Sequence, residues 1–159
     1  MNKRQKAILT NFVIVILITA VAIGAMINFK DWVNRSEAKI AMTELGNRIK
    51  KYRAEHGSVP PESYVDRERE NLQGNVRLGK LHYRTMWIDF ESTPDEILCY
   101  TERKSHSLIF RDEFLILRLG EVLEQDVDVD VNVEWMGKRE FEALLARQQT
   151  PMEIEMLDK

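Results

Sequence analysis

Residues 7–29 read AILTNFVIVILITAVAIGAMINF, and no charged side chain interrupts this apolar segment. As an α-helix the segment is about 34 Å long, at a rise of about 1.5 Å per residue, and the core of a bilayer is about 30 Å thick. Its polar side chains are hydroxyls, which bond to the helix backbone, and amides close to its ends, namely Thr10, Asn11, Thr19 and Asn28. The apolar segment therefore predicts a membrane-spanning helix.

The charges that flank the apolar segment predict its orientation. Lys3, Arg4 and Lys6 precede it without an acidic residue, whereas the residues from Lys30 to Glu37 carry charges of both signs. Basic residues concentrate on the cytoplasmic side of membrane proteins. We therefore expect a single-pass protein of the bacterial inner membrane, with its N-terminus in the cytoplasm and its C-terminal domain extracytoplasmic.

Two other interpretations of the apolar segment remain open. In a cleaved signal peptide, the basic residues at the start would be followed by Ala20 and Ala22 at the two positions that a signal peptidase reads. The apolar part of such a peptide usually has only about 7 to 15 residues, which favours a retained anchor. In a soluble protein the segment would be a buried helix, but such helices are shorter and have a polar face.

The composition limits the size and the partners of the rest of the chain. With 159 residues, the chain is long enough for the anchor and one compact domain. The net charge is −3 and the basic residues are scattered, so a nucleic-acid partner is not expected. Cys99 is the only cysteine, which excludes an intramolecular disulfide, and we expect it to be a small buried hydrophobic residue.

An amphipathic helix is predicted to continue directly from the apolar segment. Residues 31–55 contain no proline and a single glycine, Gly46, which costs about 1 kcal/mol relative to alanine without ending a helix. Apolar residues follow one another at intervals of three and four along one face, in a stripe formed by Ala38, Met42, Leu45, Ile49 and Tyr52. Gly57 and Pro60 mark the end of the helix. We expect the stripe to dock a sheet.

Short strands are predicted in the second half of the chain. Candidates at 81–90, 96–101, 107–110, 114–119 and 126–136 are separated by short polar breaks, which suits antiparallel pairing. Before them, the polar residues 62–80 predict a surface loop with at most one helical turn. After them, residues 138–149 return to helical spacing, and a flexible tail is expected at 151–159.

An acidic strand is the one candidate for metal binding. Along 126–135, four valines and Trp135 alternate with four acidic residues and Asn132, which predicts one buried and one acidic face. A calcium-binding EF-hand loop would need glycine and glutamate where the chain has Val131 and Gly137, so that motif is absent. Weak binding of a cation such as calcium stays possible at Asp126, Asp128 and Asp130.

Nothing in the sequence predicts a catalytic or cofactor-binding residue. His56, His82 and His106 are far apart, without the spacing of zinc ligands, and neither a phosphate-binding loop nor a nucleophile elbow is present. An enzyme would need a site that converges in space around His82, His106 or the acidic strand. We therefore do not expect an enzyme.

The helix end resembles that of a known protein family. Residues 38–61 read AKIAMTELGNRIKKYRAEHGSVPP, where Tyr52, Gly57 and Pro60 have the spacing of the Tyr-x-x-x-x-Gly-x-x-Pro pattern of type IV pilins and of the pseudopilins of type II secretion. Residues 131–145, VNVEWMGKREFEALL, also resemble the end of some pilin-like proteins. The chain lacks the family's prepilin peptidase signature, because no glycine precedes Gly24 and no acidic residue precedes Asp31.

The resemblance implies an α+β fold, in which a long N-terminal helix packs on a small antiparallel sheet followed by a short C-terminal helix. Residues 1–29 would form the cytoplasmic stub and transmembrane helix, 30–150 an extracytoplasmic head, and 151–159 the tail. The expected function is that of a structural or scaffold protein of a secretion or pilus-type envelope machine, which contacts lipid and other membrane or envelope proteins. The alternative is a membrane-anchored ligand-binding or sensing domain.

Overall fold

The computed structural model describes residues 2–88, 92–104, 112–120 and 131–157, with the backbone alone for 155–157. Its longest element is helix α1, Lys3–His56, whose 54 residues include the whole apolar segment and the amphipathic helix after it. Gly57 ends the helix at φ 70°, where its N–H donates a 2.8 Å hydrogen bond to the carbonyl oxygen of Arg53. Glycine adopts this left-handed conformation without steric cost.

In the described part of the chain, four antiparallel strands form one sheet in the order β1-β2-β3-β4. The strands are β1 Leu81–Tyr83, β2 Ile97–Arg103, β3 Glu113–Arg118 and β4 Val133–Gly137. The shorter helices are α2 Glu62–Glu70, α3 Lys138–Gln148 and α4 Pro151–Leu157, and two 3-10 helices span Asn75–Leu78 and Thr85–Trp87. The predicted α+β fold, with its long N-terminal helix, antiparallel sheet and short C-terminal helix, is confirmed.

Helices cover both faces of the sheet. One face packs on α1, with a core that includes Ala38, Met42, Leu45, Ile49, Cys99, Leu115, Leu117 and Val133. The opposite face packs on α3, with a core formed by Ile97, Tyr100, Phe114, Ile116, Met136 and Phe141. A bulge between Ile97 and Cys99 turns Leu98 toward α1 as well. Because both faces are covered, β2 and β3 have continuous rather than alternating apolar sequences.

Gly46 lies where α1 approaches the sheet most closely. A Cβ atom at this position would clash with Val131 and would lie 2.9 Å from Leu117 Cδ1. Because glycine has no side chain, the backbone of α1 comes close to β3 and to Val131, which precedes β4.

Three segments differ from the predictions. Residues 62–80 are largely helical rather than a surface loop, and Val65, Leu72 and Leu78 are buried against α1. The predicted flexible tail is wrong for residues 151–157, which form α4. In the strand candidate at 81–90, β1 ends at Tyr83, because Arg84 leaves the extended conformation (φ −99°, ψ 28°) and its side chain turns into the protein; residues 89 and 90 lie outside the described residues.

Two further strand candidates fall partly or wholly outside the described residues. Residues 107–110 and 126–130 lie in the gaps of the description, and so do the metal candidates Asp126, Asp128 and Asp130. The part of the 126–136 candidate that is described forms a strand only from Val133 onward.

Candidate functional site

The apolar segment is exposed around its whole circumference. Phe12, Leu17 and Ile18, which lie about 100° to 140° apart around the helix axis, are 62%, 59% and 64% exposed. A soluble monomeric protein rarely exposes so large a continuous apolar surface. Helix α1 is long and apolar enough to span a membrane, in agreement with the prediction from the sequence.

The head begins directly after the apolar segment, at a junction fixed by charged groups. Arg35 Nη1 lies 2.9 Å from Glu113 Oε2, and its guanidinium lies 5.0 Å from the ring centroid of Trp135. Asp31 is buried, and its Oδ1 lies 3.9 Å from Arg103 Nη2. Since these partners stand at or near the ends of β2, β3 and β4, the sheet is attached to α1 within two turns of Phe29.

A basic cleft opens on one side of this junction. It has a volume of about 500 Å³ and is lined by basic side chains from three separate parts of the chain, which are Lys30 of α1, Arg77 of the first 3-10 helix, and Arg103 and Lys104 at the end of β2. Two acidic side chains, Asp31 and Glu102, share the lining, so the cleft carries an excess of two positive charges.

The charges in the basic cleft are only partly neutralised. Arg77 Nε is paired with Glu37 Oε2 at 2.8 Å, whereas the 3.9 Å separation of Arg103 from Asp31 exceeds hydrogen-bond distance. Burial lowers the pKa of Arg103, and the nearby cations Arg77 and Arg35 lower it further, while Asp31 opposes both effects. An anion in the cleft would therefore reduce repulsion among these groups.

An amphiphilic groove lies on the other side of α1. It has a volume of about 670 Å³ and runs between the helix flank and the edge strand β4, past Trp32, Lys39, Ile40 and Trp135. Trp32 and Ile40 are 57% and 61% exposed, although both are large and apolar. Exposed aromatic and aliphatic side chains beside a cation suit contact with another apolar surface or with an amphiphilic ligand.

The histidines do not converge on a site in the described part of the chain. His56 is exposed at the end of α1 and stacks on Tyr52 at 4.0 Å between ring centroids. His82 is half-buried and stacks on Tyr100 at 4.9 Å. His106 lies outside the described residues, and no group of three or more potential metal ligands occurs within them.

Cys99 is a buried core residue. Its sulfur lies 3.6 Å from the sulfur of Met42, and burial raises the pKa of its thiol well above the usual range. The neutral thiol is therefore the form present in the folded protein, and this form is a poor nucleophile and a poor metal ligand.

A buried ion pair that the sequence does not reveal fixes the C-terminal end of the chain. Arg84 Nε and Nη2 donate hydrogen bonds of 2.7 and 2.8 Å to the two carboxylate oxygens of Glu153. The same guanidinium donates to the carbonyl oxygens of Ile97 and Gln148, at 2.9 and 3.1 Å. Arg84 and Glu153 are only 4% and 1% exposed, so α4 is held against the head.

Comparison with known proteins gives no relative for this chain. No protein-family model matches it, and no match is found among curated proteins or solved structures.

Proposed function

We propose that the protein is a single-pass membrane protein whose head is a pilin-like scaffold or interaction module. In this proposal the N-terminus lies in the cytoplasm of a bacterium, the head lies outside the inner membrane, and the protein belongs to a secretion or pilus-type envelope machine. The observation that carries the proposal is helix α1, which leaves the apolar segment and enters the core of the head without a break.

The way in which the head is attached supports a structural role. The buried face of α1, formed by Ala38, Met42, Leu45 and Ile49, begins within three turns of Phe29 and is as fully buried as the centre of the sheet. A ligand-gated receptor would be expected to have a flexible connection or an enclosed cavity, whereas the amphiphilic groove and the basic cleft are open surface features beside the helix.

The order of the elements also supports this proposal. A long helix followed by an antiparallel sheet is the arrangement of the family that the chain resembles at Tyr52, Gly57 and Pro60. Since the sequence lacks the peptidase signature of that family, we propose an uncleaved anchor rather than a polymerising subunit. The intact mass of the protein from its native membrane tests this point: the full-length mass is expected, and loss of the first residues would contradict it.

Cysteine labelling tests the membrane topology. Asn2→Cys and Val76→Cys each add one exposed thiol, and the buried Cys99 is not expected to react. In spheroplasts, a membrane-impermeant maleimide should label position 76 and should label position 2 only after the membrane is permeabilised. Labelling of both positions without permeabilisation would contradict the proposed orientation.

Site-specific cross-linking tests the scaffold role. A photoreactive amino acid at Ile40, in the amphiphilic groove, is expected to give defined adducts with an envelope protein or with a second copy, identified by mass spectrometry. The matched control is the same amino acid at Val76, which is also exposed but lies on another side of the head. Adducts that are identical at both positions would indicate random collisions and would contradict a specific interface.

The amphiphilic groove also favours a second candidate, a membrane-anchored binding or sensing domain. Trp32, Trp135 and Lys39 could hold a small amphiphilic anion through stacking and charge. This function predicts that the protein purified from its native membrane retains a small molecule, and that Trp32→Ala releases it. Purified protein that contains no stoichiometric small molecule would contradict this candidate.

A further inference from the structure

We propose that the basic cleft binds the phosphate of an anionic phospholipid in the leaflet next to the head, through Lys30, Arg103 and Lys104. This inference rests on the proposed membrane anchoring, because it requires α1 to cross the bilayer. It adds a lipid-binding site that orients the head on the membrane surface.

The cleft lies at the height of the lipid headgroups. Lys30 follows the last residue of the apolar segment, and Asn34, also in the lining, is about 6 Å further along the helix axis. The headgroup layer on each side of a bilayer is about 5 to 8 Å thick. An apolar segment that fills the hydrocarbon core therefore places the cleft among the phosphates.

The charge of the cleft is complementary to a phosphate. Within the described part of the chain, Lys30 and Lys104 have no ion-pair partner, and Arg103 approaches Asp31 without hydrogen-bond contact. Four-fifths of the Arg103 side chain is nevertheless buried, at 20% exposure. A cation that is both buried and incompletely paired is poorly stabilised by the protein itself, and a phosphate oxygen would supply the missing acceptor.

Apolar side chains complete the match to a lipid rather than to a free anion. Ile27 stands one turn below Lys30 in the lining, at the level of the acyl chains. Val76, on the other wall of the cleft, is 82% exposed. A phospholipid that placed its phosphate on the lysines would bring its glycerol and upper acyl chains to Ile27, with Val76 beside its headgroup.

Lipid-specific fluorescence quenching in nanodiscs tests the inference with the full chain. Val76→Cys carries a fluorophore, and the discs contain either phosphatidylglycerol or phosphatidylcholine with a nitroxide near the carbonyl end of one acyl chain, at equal mole fractions. We expect labelled phosphatidylglycerol to quench position 76 several-fold more strongly than labelled phosphatidylcholine. Equal quenching by the two lipids would overturn the inference.

A pair of matched double variants identifies the responsible charges. Lys30→Gln with Lys104→Gln should lower the ratio of quenching by phosphatidylglycerol to quenching by phosphatidylcholine toward one. Each basic residue at an anionic surface contributes about fivefold in affinity, and this variant removes two. Lys51→Gln with Arg147→Gln removes the same charge from two exposed positions that line neither the basic cleft nor the amphiphilic groove, and should preserve the preference. The same preference in both double variants would overturn the assignment to the cleft.

Two further arms separate the inference from its premises. A fluorophore at Met26→Cys, inside the apolar segment, should be quenched by both labelled lipids. If position 26 is quenched but position 76 shows no lipid preference, the proposed lipid site is wrong and the proposed membrane anchor is supported. If neither lipid quenches position 26, the membrane anchoring fails and the lipid site fails with it. At constant ionic strength, soluble glycerol phosphate should not reduce the stronger quenching of position 76 by phosphatidylglycerol. If it abolishes this lipid preference, the cleft binds a free phosphate instead of a lipid.

Discussion

Arg84 and Glu153 form a buried ion pair whose disruption should destabilise the folded head. Arg84→Met leaves the Glu153 carboxylate buried without a partner, and we expect it to cost about 3 to 5 kcal/mol of the free energy of unfolding. The midpoint of thermal unfolding, followed by near-ultraviolet circular dichroism of the full chain in detergent, measures this loss.

Two comparisons show whether the loss comes from the unpaired charge. Adding Glu153→Leu to Arg84→Met should restore part of the stability, because no charge then remains buried. Arg67→Met breaks an exposed contact, 3.7 Å from Glu68, and should cost less than about 1 kcal/mol. A double variant that is less stable than Arg84→Met would contradict this explanation.

His82 should make the stability of the head depend on pH. Burial lowers the pKa of His82 below its usual value, Lys80 lowers it further, and Glu102 opposes the shift. The unfolded chain therefore takes up a proton near pH 6.5 while the folded protein does not, so stability present above that pH is lost as the pH falls below it.

The variant His82→Gln tests this pH dependence. We expect the difference in unfolding midpoint between neutral and mildly acidic buffer to be smaller in His82→Gln than in the unaltered chain. His56→Gln, at an exposed histidine that stacks on Tyr52 in a similar way, is the matched control and should keep the full difference. An unchanged difference in His82→Gln would contradict the assignment.

At the scale of the element, the docking face of α1 should decide whether the head folds. Leu45 and Ile49 are 0% and 1% exposed, so replacing both by aspartate buries two unpaired charges and should unfold the sheet. Ile40→Asp, on the same helix at 61% exposure, should leave the head resistant to protease. A protease-resistant head in the Leu45→Asp, Ile49→Asp chain would contradict this packing.

Local signals explain why α1 could be predicted and why other elements could not. The continuity of the helix and its end follow from residues close together in the sequence, such as the unbroken run before His56 and the glycine after it. Helix α2 has a single fully buried apolar residue, Val65. One apolar residue gives no helical periodicity in the sequence, so the helix could not be distinguished from a polar loop.

Long-range contacts explain why the ends of β1 and of the chain were predicted wrongly. Arg84 and Glu153 are 69 residues apart, and each resembles an ordinary surface charge in the sequence. Only the folded arrangement shows that Gln148 also joins them, through its carbonyl oxygen. The basic cleft was missed for the same reason, since its lysines and arginines come from three distant parts of the chain.

At the scale of the whole molecule, the apolar segment and the head should be separable by mutation. Ile16→Arg with Leu17→Arg should reduce membrane insertion, because each arginine at the centre of a spanning helix costs about 3 kcal/mol. Both positions are exposed, so the unfolding midpoint of the head should not change. Carbonate extraction of membranes measures the insertion.

A control near the end of the segment makes this prediction specific. Ile8→Arg with Leu9→Arg adds the same charge beside Lys6, where long side chains reach the headgroups, and should be inserted nearly as well as the unaltered chain. Equal insertion of the two double variants would contradict the prediction that Ile16 and Leu17 lie at the centre of a membrane-spanning helix and Ile8 and Leu9 near its end.

The unbroken course of α1 makes the protein a lever. Between Phe29 and Gly57 the helix is about 40 Å long, and the core of the head is packed directly on it. A change of about 20° in the tilt of the spanning part would carry the far end of the head about 14 Å sideways. In the proposed anchored protein, where tilt adjusts to bilayer thickness, the sideways position of the head would report on the lipids around its anchor.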